Sequence, residues 1–201
     1  MTTESPARTA ERIDLLSQEF ADEMKARHQN RYRWARDVIR ERFVRAGAVI
    51  DFATGTGYGA AILREVSDLV YGRDKDATAI AIANARHSST AVNFSTNPVT
   101  FHYGDQEHFF DAVVSIETIE HLEEAHVDSF LETSRHLLIP GGLLIVSTPE
   151  ARPDRVVENT YHLREYTREE LKLVIEKAGF VLVRWDDWLP GFLCVVSKRP
   201  A

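Results

Sequence analysis

Two groups of residues in this chain have the types and spacing to do chemistry. The first is Asp51, Ala53, Gly55, Gly57 and Ala60, a carboxylate followed by small residues and alternating glycines. The apolar, β-branched run Ala48-Val49-Ile50 leads into it and a helix-compatible segment follows, so the order is strand, tight turn, helix. Glycines let the main chain adopt positive φ and let a ligand lie against it, while the first N–H groups of the next helix lack partners. Gly55, Gly57 and Ala60 match a G-x-G-x-x-G/A dinucleotide fingerprint, and Asp74 stands about twenty residues on, where an acid holds ribose hydroxyls. The expected ligand is an adenosine cofactor. The turn alone does not say which.

The second group is Glu117, Glu120, His121 and the distant His162. Imidazoles titrate near neutral pH, which suits them to take a proton from an acceptor. His121 follows a predicted strand, and Glu165 is placed to orient His162. If residues 117–121 form a helical turn, Glu117, Glu120 and His121 share one face. His162 then completes two carboxylates and two imidazoles around a divalent cation. The alternative is that Glu120 simply favours a helix N-terminus and His121 bonds the turn. His87, His102, His108, His126 and His136 read as surface or helix residues. Cys194, the one cysteine, lies in the apolar run Phe192-Leu193-Cys194-Val195-Val196 and reads as a core thiol.

To bring these groups to one edge, the chain needs strands that end where they stand. Tyr32, Ala35, Ile39 and Phe43 repeat at helical spacing, predicting a helix over 9–46 with Gly47 as its stop. Strands are expected at 48–52, 68–74, 99–103, 110–116 and 143–147, with helices at 60–66, 76–87 and 123–138 and a polar loop at 88–98. Residues 150–167 break the rhythm and read as an insertion over the site. A helix at 168–178 and strands at 180–185 and 192–197 follow, joined so briefly that the last two must be antiparallel. The expected fold class is α/β: a Rossmann-like, doubly wound sheet of about seven strands, mostly parallel, with helices on both faces. Its ligands bind at the carboxyl ends of the strands. Residues 1–201 are expected to form a single domain: a tail and helix at 1–27, a cofactor-binding core at 28–149, the insertion at 150–167, and a closing helix and hairpin at 168–201.

A net charge of −7 argues against bulk nucleic-acid binding. No apolar run reaches membrane-spanning length and the first residues are polar, so a cytoplasmic location is expected. Lys25, Arg27, Arg31, Arg33, Arg36, Arg40, Arg42 and Arg45 crowd one segment, either as a solvated helix face or as a site for anions. Trp185, Trp188 and Phe192 read as packing on the last strands, with a substrate or dimer surface as the alternative.

Segments 49–60, 72–74, 104–105, 110–117 and 138–142, with the closing antiparallel pair, resemble class I S-adenosylmethionine-dependent methyltransferases over about residues 28–198. The resemblance implies that Gly55-Thr56-Gly57 passes under the amino-acid part of the cofactor, with Asp51 and Ala53 near its ammonium. Many members carry glycine at the position of Ala53 and cysteine at that of Thr54. It places Asp74 on the ribose hydroxyls, Lys75 beside the adenine, Asp105 with Gln106 at the adenine amino group, and Ser115 and Glu117 under the sulfonium and the acceptor. A narrower resemblance at 28–32, 115–122 and 159–166 is to small type-11/type-12-like methyltransferases of sugar and envelope pathways. It implies that Arg31 and Tyr32 close the pocket, with the guanidinium facing the cofactor carboxylate. The E-x-x-E-H pattern with a distant histidine also resembles metal-dependent small-RNA 2′-O-methyltransferases and, in part, quinone-pathway O-methyltransferases.

The expectation is therefore methyl transfer from S-adenosylmethionine, leaving S-adenosylhomocysteine, to a small-molecule acceptor. That acceptor is read as a sugar-like or polyol hydroxyl, with His121 or His162 as base. N-methylation of an amine, metal-dependent 2′-O-methylation and cofactor binding without catalysis are the alternatives. No nucleic-acid or membrane partner is expected, and the protein is read as a monomer or homodimer.

Overall fold

In the computed structural model, residues 22–98, 108–152 and 161–201 are described. Helix α1 (Asp22–Phe43) leads into strand β1 (Ala46–Phe52), followed by α2 (Tyr58–Leu63), β2 (Ser67–Asp74), α3 (Ala77–His87) and β3 (Val92–Thr96). Then come β4 (Phe110–Ile116), a 3-10 turn at Ile119–His121, α4 (Glu124–Leu137) and β5 (Leu138–Pro149). Helix α5 (Arg168–Lys177) and strands β6 (Val181–Trp185) and β7 (Phe192–Lys198) complete the series. The seven strands form one sheet in the order β3-β2-β1-β4-β5-β7-β6. Strands β1 to β5 run parallel, and β7 lies antiparallel to both β5 and β6.

Alternation along β1 explains why it sits at the centre. Val49 packs into the core that α1, α2 and α3 cover, whereas Ile50 and Phe52 pack into the core under α4 and α5. A strand apolar on both faces has to lie between two helical layers. The chain winds outward through β2 to β3 and returns to place β4 on the other side of β1, so the strand order reverses beside β1. That reversal opens a crevice at the strands' carboxyl ends. Asp51, Asp74, Ser115 and Thr148 all stand near that edge, on β1, β2, β4 and β5.

Three local expectations are corrected. Gly47 does not stop α1; it belongs to β1, where its N–H and that of Ala48 donate to Asp111 Oδ2 at 2.7 and 3.0 Å. The helix ends at Phe43, and the left-handed position is taken by Val44 at φ +61°. Residues 92–96, read as loop, form the edge strand β3, because Val92 and Phe94 alternate inward against Asn93 outward. Strand β5 begins at Leu138, before Pro140-Gly141-Gly142, and absorbs that tripeptide in a register shift against β4. The strand expected at 99–103, residues Asp105 and Gln106, and the start of the first helix lie outside the described residues.

Val44 is 82% exposed and β-branched, so its left-handed backbone costs strain without a packing return. Val44→Gly is expected to stabilise the protein by about 1 kcal/mol, raising the thermal midpoint by roughly 2–4 °C. An unchanged or lower midpoint would show that no strain is relieved there.

Candidate active site

The crevice begins where β1 ends. Asp51 is fully buried and accepts hydrogen bonds from Thr54 Oγ1 at 2.5 Å and from the Tyr32 hydroxyl at 3.2 Å. The chain then turns through Ala53, Gly55 and Gly57 at φ +59°, +56° and +86°. A Cβ on Gly55 would meet nothing within 4 Å, so the turn presents an open floor there. At Gly59 the space is filled instead: a Cβ would lie 2.1 Å from the Tyr32 ring, so α1 closes directly onto the start of α2. Asp74, at the end of β2, ties the turn from the other side, Oδ2 accepting from the Gly55 N–H and Oδ1 from the Asp76 N–H, each at 2.9 Å. Lys75 beside it is exposed.

Of the basic cluster along and just after α1, Arg31 is the fully buried member. Arg36, Arg40 and Arg45 pair at the surface with Asp37, Glu65 and Asp68, as a solvated face does. The Arg31 guanidinium stacks 4.1 Å from the Phe192 ring centroid, and its Nε lies 3.6 Å from Glu117 Oε1. Among the described residues, its buried Nε and Nη1 have no hydrogen-bond partner. Glu117 Oε1 also accepts from Ser147 Oγ at 2.8 Å. One turn before Arg31, His28 Nδ1 lies 3.3 Å from the Tyr58 hydroxyl, and burial, with help from Arg31, pushes its pKa down to about 3.

Past Glu117 the backbone departs from expectation. Glu117 has φ +51°, and the 3-10 turn starts only at Ile119, so Glu117, Glu120 and His121 do not share one helical face. Glu117 points to Ser147 and Arg31, whereas Glu120 is fully buried and accepts from Thr148 Oγ1 at 2.9 Å. Burial first, then the Glu117 charge, holds the Glu120 carboxyl well above the usual carboxylate range. The other oxygen of Glu120, Oε1, has no hydrogen-bond partner among the described residues and faces His121 Nε2 at 4.0 Å.

The described end of the insertion docks on this turn. The N–H groups of Leu163 and Arg164 donate to the Glu120 carbonyl at 2.8 and 3.2 Å, which brings His162 beside His121 with ring centroids 5.0 Å apart. His121 Nδ1 lies 3.0 Å from the Tyr161 carbonyl, and His162 Nδ1 lies 3.0 Å from Glu165 Oε1. Both partners are acceptors, so Nδ1 is the donating nitrogen of each ring. One ligand atom each from Glu120, His121 and His162 falls within 4.8 Å of the others, a span suited to one divalent cation. The structure thus collects three of the four expected metal-type residues and sends Glu117 elsewhere. Ser115 is buried on β4 opposite Phe52. Ser147, Thr148 and Thr54 join the site without a sequence expectation behind them, the local signal being the pair of hydroxyls just before Pro149, where β5 ends, whereas Phe192, read as packing with a substrate surface as the alternative, stacks on Arg31.

A family model described as a methyltransferase domain matches residues 26–184. The chain belongs to that family. It is similar to a Mycolicibacterium smegmatis protein named "Probable S-adenosylmethionine-dependent methyltransferase", with 32% identity over 139 residues, 66% of this chain and 51% of that one. It is also similar to the Sinorhizobium fredii ubiquinone biosynthesis O-methyltransferase, with 31% identity over 101 residues, 50% of this chain and 40% of that one. The chain therefore spans about half the length, or less, of these curated relatives. The fold matches that of Burkholderia thailandensis 1,6-didemethyltoxoflavin-N1-methyltransferase, solved with its didemethyltoxoflavin and S-adenosylhomocysteine, at a TM-score of 0.71 and 21% identity, covering 89% of this chain and 86% of that one. This is a class I S-adenosylmethionine-dependent methyltransferase by family. Among its described residues, no helix is long and apolar enough to cross a membrane.

In this methyltransferase the buried Asp51 links stability to pH. Burial, opposed by the Thr54 and Tyr32 hydrogen bonds and aided by the Asp74 charge, pushes its pKa from 3.8 up to about 7. The folded state therefore keeps the Asp51 proton through a range in which the unfolded chain has lost it. Its contribution to stability is whole below pH 3.8 and falls as pH rises toward 7. The full loss amounts to about 4 kcal/mol. Asp51→Asn is expected to flatten that slope in urea titrations of ligand-free protein between about pH 4 and pH 8. Parallel curves for the two proteins would exclude Asp51 as the titrating group.

Proposed function

We propose that this chain transfers a methyl group from S-adenosylmethionine to a hydroxyl of a small polar acceptor, sugar-like or polyol in character. The observation that carries this reading is the pair of imidazoles, His121 and His162, each held through Nδ1, with one ligand atom of each within 4.8 Å of the buried Glu120. A hydroxyl is too weak an acid to ionise at neutral pH and needs a base or a metal, whereas a neutral amine needs neither. A prepared acceptor for a proton therefore favours a hydroxyl. The distant O-methyltransferase relative agrees with that direction.

The site's own residues fit the cofactor. S-adenosylmethionine, when bound, supplies a methyl group made electrophilic by its sulfonium. The open floor at Gly55, with Ala53 and Gly57, fits the amino-acid part against bare main chain. Asp51 suits its ammonium and the unmatched donors of Arg31 suit its carboxylate. Asp74 would hold the ribose hydroxyls, with Lys75 toward the adenine. Tyr32 seals the pocket from α1, while Ser115 and Glu117 lie toward the reacting end. These residues orient the donor and exclude water, and Nε2 of His121 accepts the acceptor's proton.

A second reading has its own observation. Among the described residues, buried Glu120 Oε1 has no hydrogen-bond partner, costly for a carboxylate unless a cation or proton meets it. Glu120, His121 and His162 would hold a divalent cation. The cation would polarise the acceptor hydroxyl and lower its pKa. The Glu165 carboxylate and the Tyr161 carbonyl supply the outer hydrogen bonds that metal-binding imidazoles use.

The test is methyl transfer from radiolabelled donor to a panel of polyols, sugars, phenols and amines, with EDTA and with added Mg²⁺ or Mn²⁺. Labelling of polyols or sugars supports the proposal, and loss with EDTA that Mn²⁺ restores supports the cation. Labelling of amines alone would overturn the hydroxyl assignment. Cofactor binding with no labelled product from any acceptor would favour a non-catalytic role.

A further inference from the structure

A ring from the edge strand reaches the floor of the site. Phe94 of β3 is buried and stands opposite Gly72 of β2 in the parallel register. Because Gly72 carries no side chain, the ring lies across β2 instead of stopping beside it. A Cβ on Gly72 would come within 2.5 Å of Phe94 Cε1 and 2.9 Å of Thr54 Oγ1. The far end of the ring meets the turn that follows β1: a Cβ on Gly57 would lie 2.8 Å from Phe94 Cζ and 2.8 Å from Ala83 Cβ. Gly57 is thus enclosed by β3 and α3. It is also the residue that closes the turn, its N–H donating to the Thr54 carbonyl at 3.1 Å, and the cap from which α2 starts. The turn is open at Gly55 and backed at Gly57. In an interior packed this closely, a change in the ring is felt by the main chain that rests on it.

We propose, resting on the reading of the glycine turn as the cofactor's floor, that Phe94 is a positioning residue: its ring backs the turn at Gly57 and so fixes where the floor at Gly55 stands for the amino-acid end of S-adenosylmethionine. Phe94 touches no reacting atom and acts through the main chain. What matters is its reach. Leucine at 94 would pack against Gly72 but end short of Gly57, whereas methionine has a similar volume on a longer, unbranched stem. The two variants therefore separate the filling of the core from the support of the turn.

The test is titration calorimetry of the whole protein with S-adenosylhomocysteine and with 5′-methylthioadenosine, which keeps the nucleoside and thioether but lacks the amino-acid end. Phe94→Leu is expected to weaken S-adenosylhomocysteine binding about tenfold and the methylthio compound by less than about threefold, as a small displacement of one contact surface would. Phe94→Met should bind S-adenosylhomocysteine within about threefold of the parent, with a thermal midpoint within about 2 °C of the leucine variant. Equal S-adenosylhomocysteine affinity in the parent and Phe94→Leu overturns the positioning role, as do equal losses in the leucine and methionine variants. A parallel loss of both ligands, which a general loosening of the core would give, overturns it too. Gly55→Ala sets a methyl group on the floor itself and should weaken S-adenosylhomocysteine binding. If it does and Phe94→Leu does not, the role of Phe94 falls and the floor stands; if neither variant loses affinity, the floor falls and the positioning role with it. Should the leucine variant not fold, Phe94→Tyr decides the matter: its added oxygen on Cζ presses on Gly57 and should weaken S-adenosylhomocysteine selectively, and unchanged binding there overturns the proposal.

Discussion

Replacing His121 with alanine is expected to slow methyl transfer to a hydroxyl acceptor by roughly 10²–10⁴-fold, the usual contribution of a positioned base. S-adenosylhomocysteine affinity should stay within about twofold and the thermal midpoint within about 2 °C. The reasoning is local. His121 Nδ1 donates to the Tyr161 carbonyl, so its Nε2 is the basic nitrogen, and 30% of its side chain remains exposed toward an incoming acceptor. His162 is more enclosed, with 8% exposure and an ion-pair partner, Glu165, itself 3% exposed. His162→Ala should therefore lose comparable activity, but with a larger stability cost, since the enclosed Glu165 loses the hydrogen bond from His162 Nδ1. A loss of less than about threefold in both histidine variants would remove the imidazoles from the proton transfer. It would point to an amine acceptor, which needs no base.

Asp74→Ala is expected to weaken S-adenosylhomocysteine binding by about two to four orders of magnitude. A hydrogen bond to a charged group contributes roughly 1.5–3 kcal/mol, and two ribose hydroxyls meeting one carboxylate double that. The same oxygens also hold the Gly55 and Asp76 N–H groups, so alanine loosens the turn as well. Asp74→Asn separates these effects: its amide oxygen can still accept from one main-chain N–H but carries no charge. An intermediate loss in Asn, with the turn and melting temperature preserved, assigns the binding to the carboxylate. Titration calorimetry showing Asp74→Ala within about fivefold of the parent would reduce Asp74 to a cap for the turn.

Much of the fold is legible in local pattern because its causes are local. Alternation along residues 48–52, the helical stripe Tyr32, Ala35, Ile39 and the glycine turn depend on residue type and short-range spacing. So the doubly wound sheet and the place of its crevice could be read before any coordinates. The misreadings are also local in origin. Glycine at 47 looks like a helix stop, yet only the arrival of Asp111 from β4 shows that its N–H is held in a strand. The polar stretch that contains β3 looks like a loop, yet Phe94 packs where Gly72 leaves no Cβ, a fit made between neighbouring strands.

What the sequence by itself determined is the nature of the ligand end: a glycine turn bordered by Asp51 and Asp74, and two imidazoles with carboxylates near them. Glu165 beside His162 was legible in the sequence, but which carboxylate faces His121 was decided by the tertiary structure alone. Helical spacing put Glu117 with Glu120 and His121, but Ser147, thirty residues away, and Arg31 on α1 draw Glu117 off while Thr148 holds Glu120 in place. The insertion then brings His162 in through main-chain bonds to Glu120. Those partners become neighbours only through the register of β5 on β4 and the packing of α1 over the sheet. A buried carboxylate takes whichever donors the fold carries to it, and spacing along the chain does not contain that information.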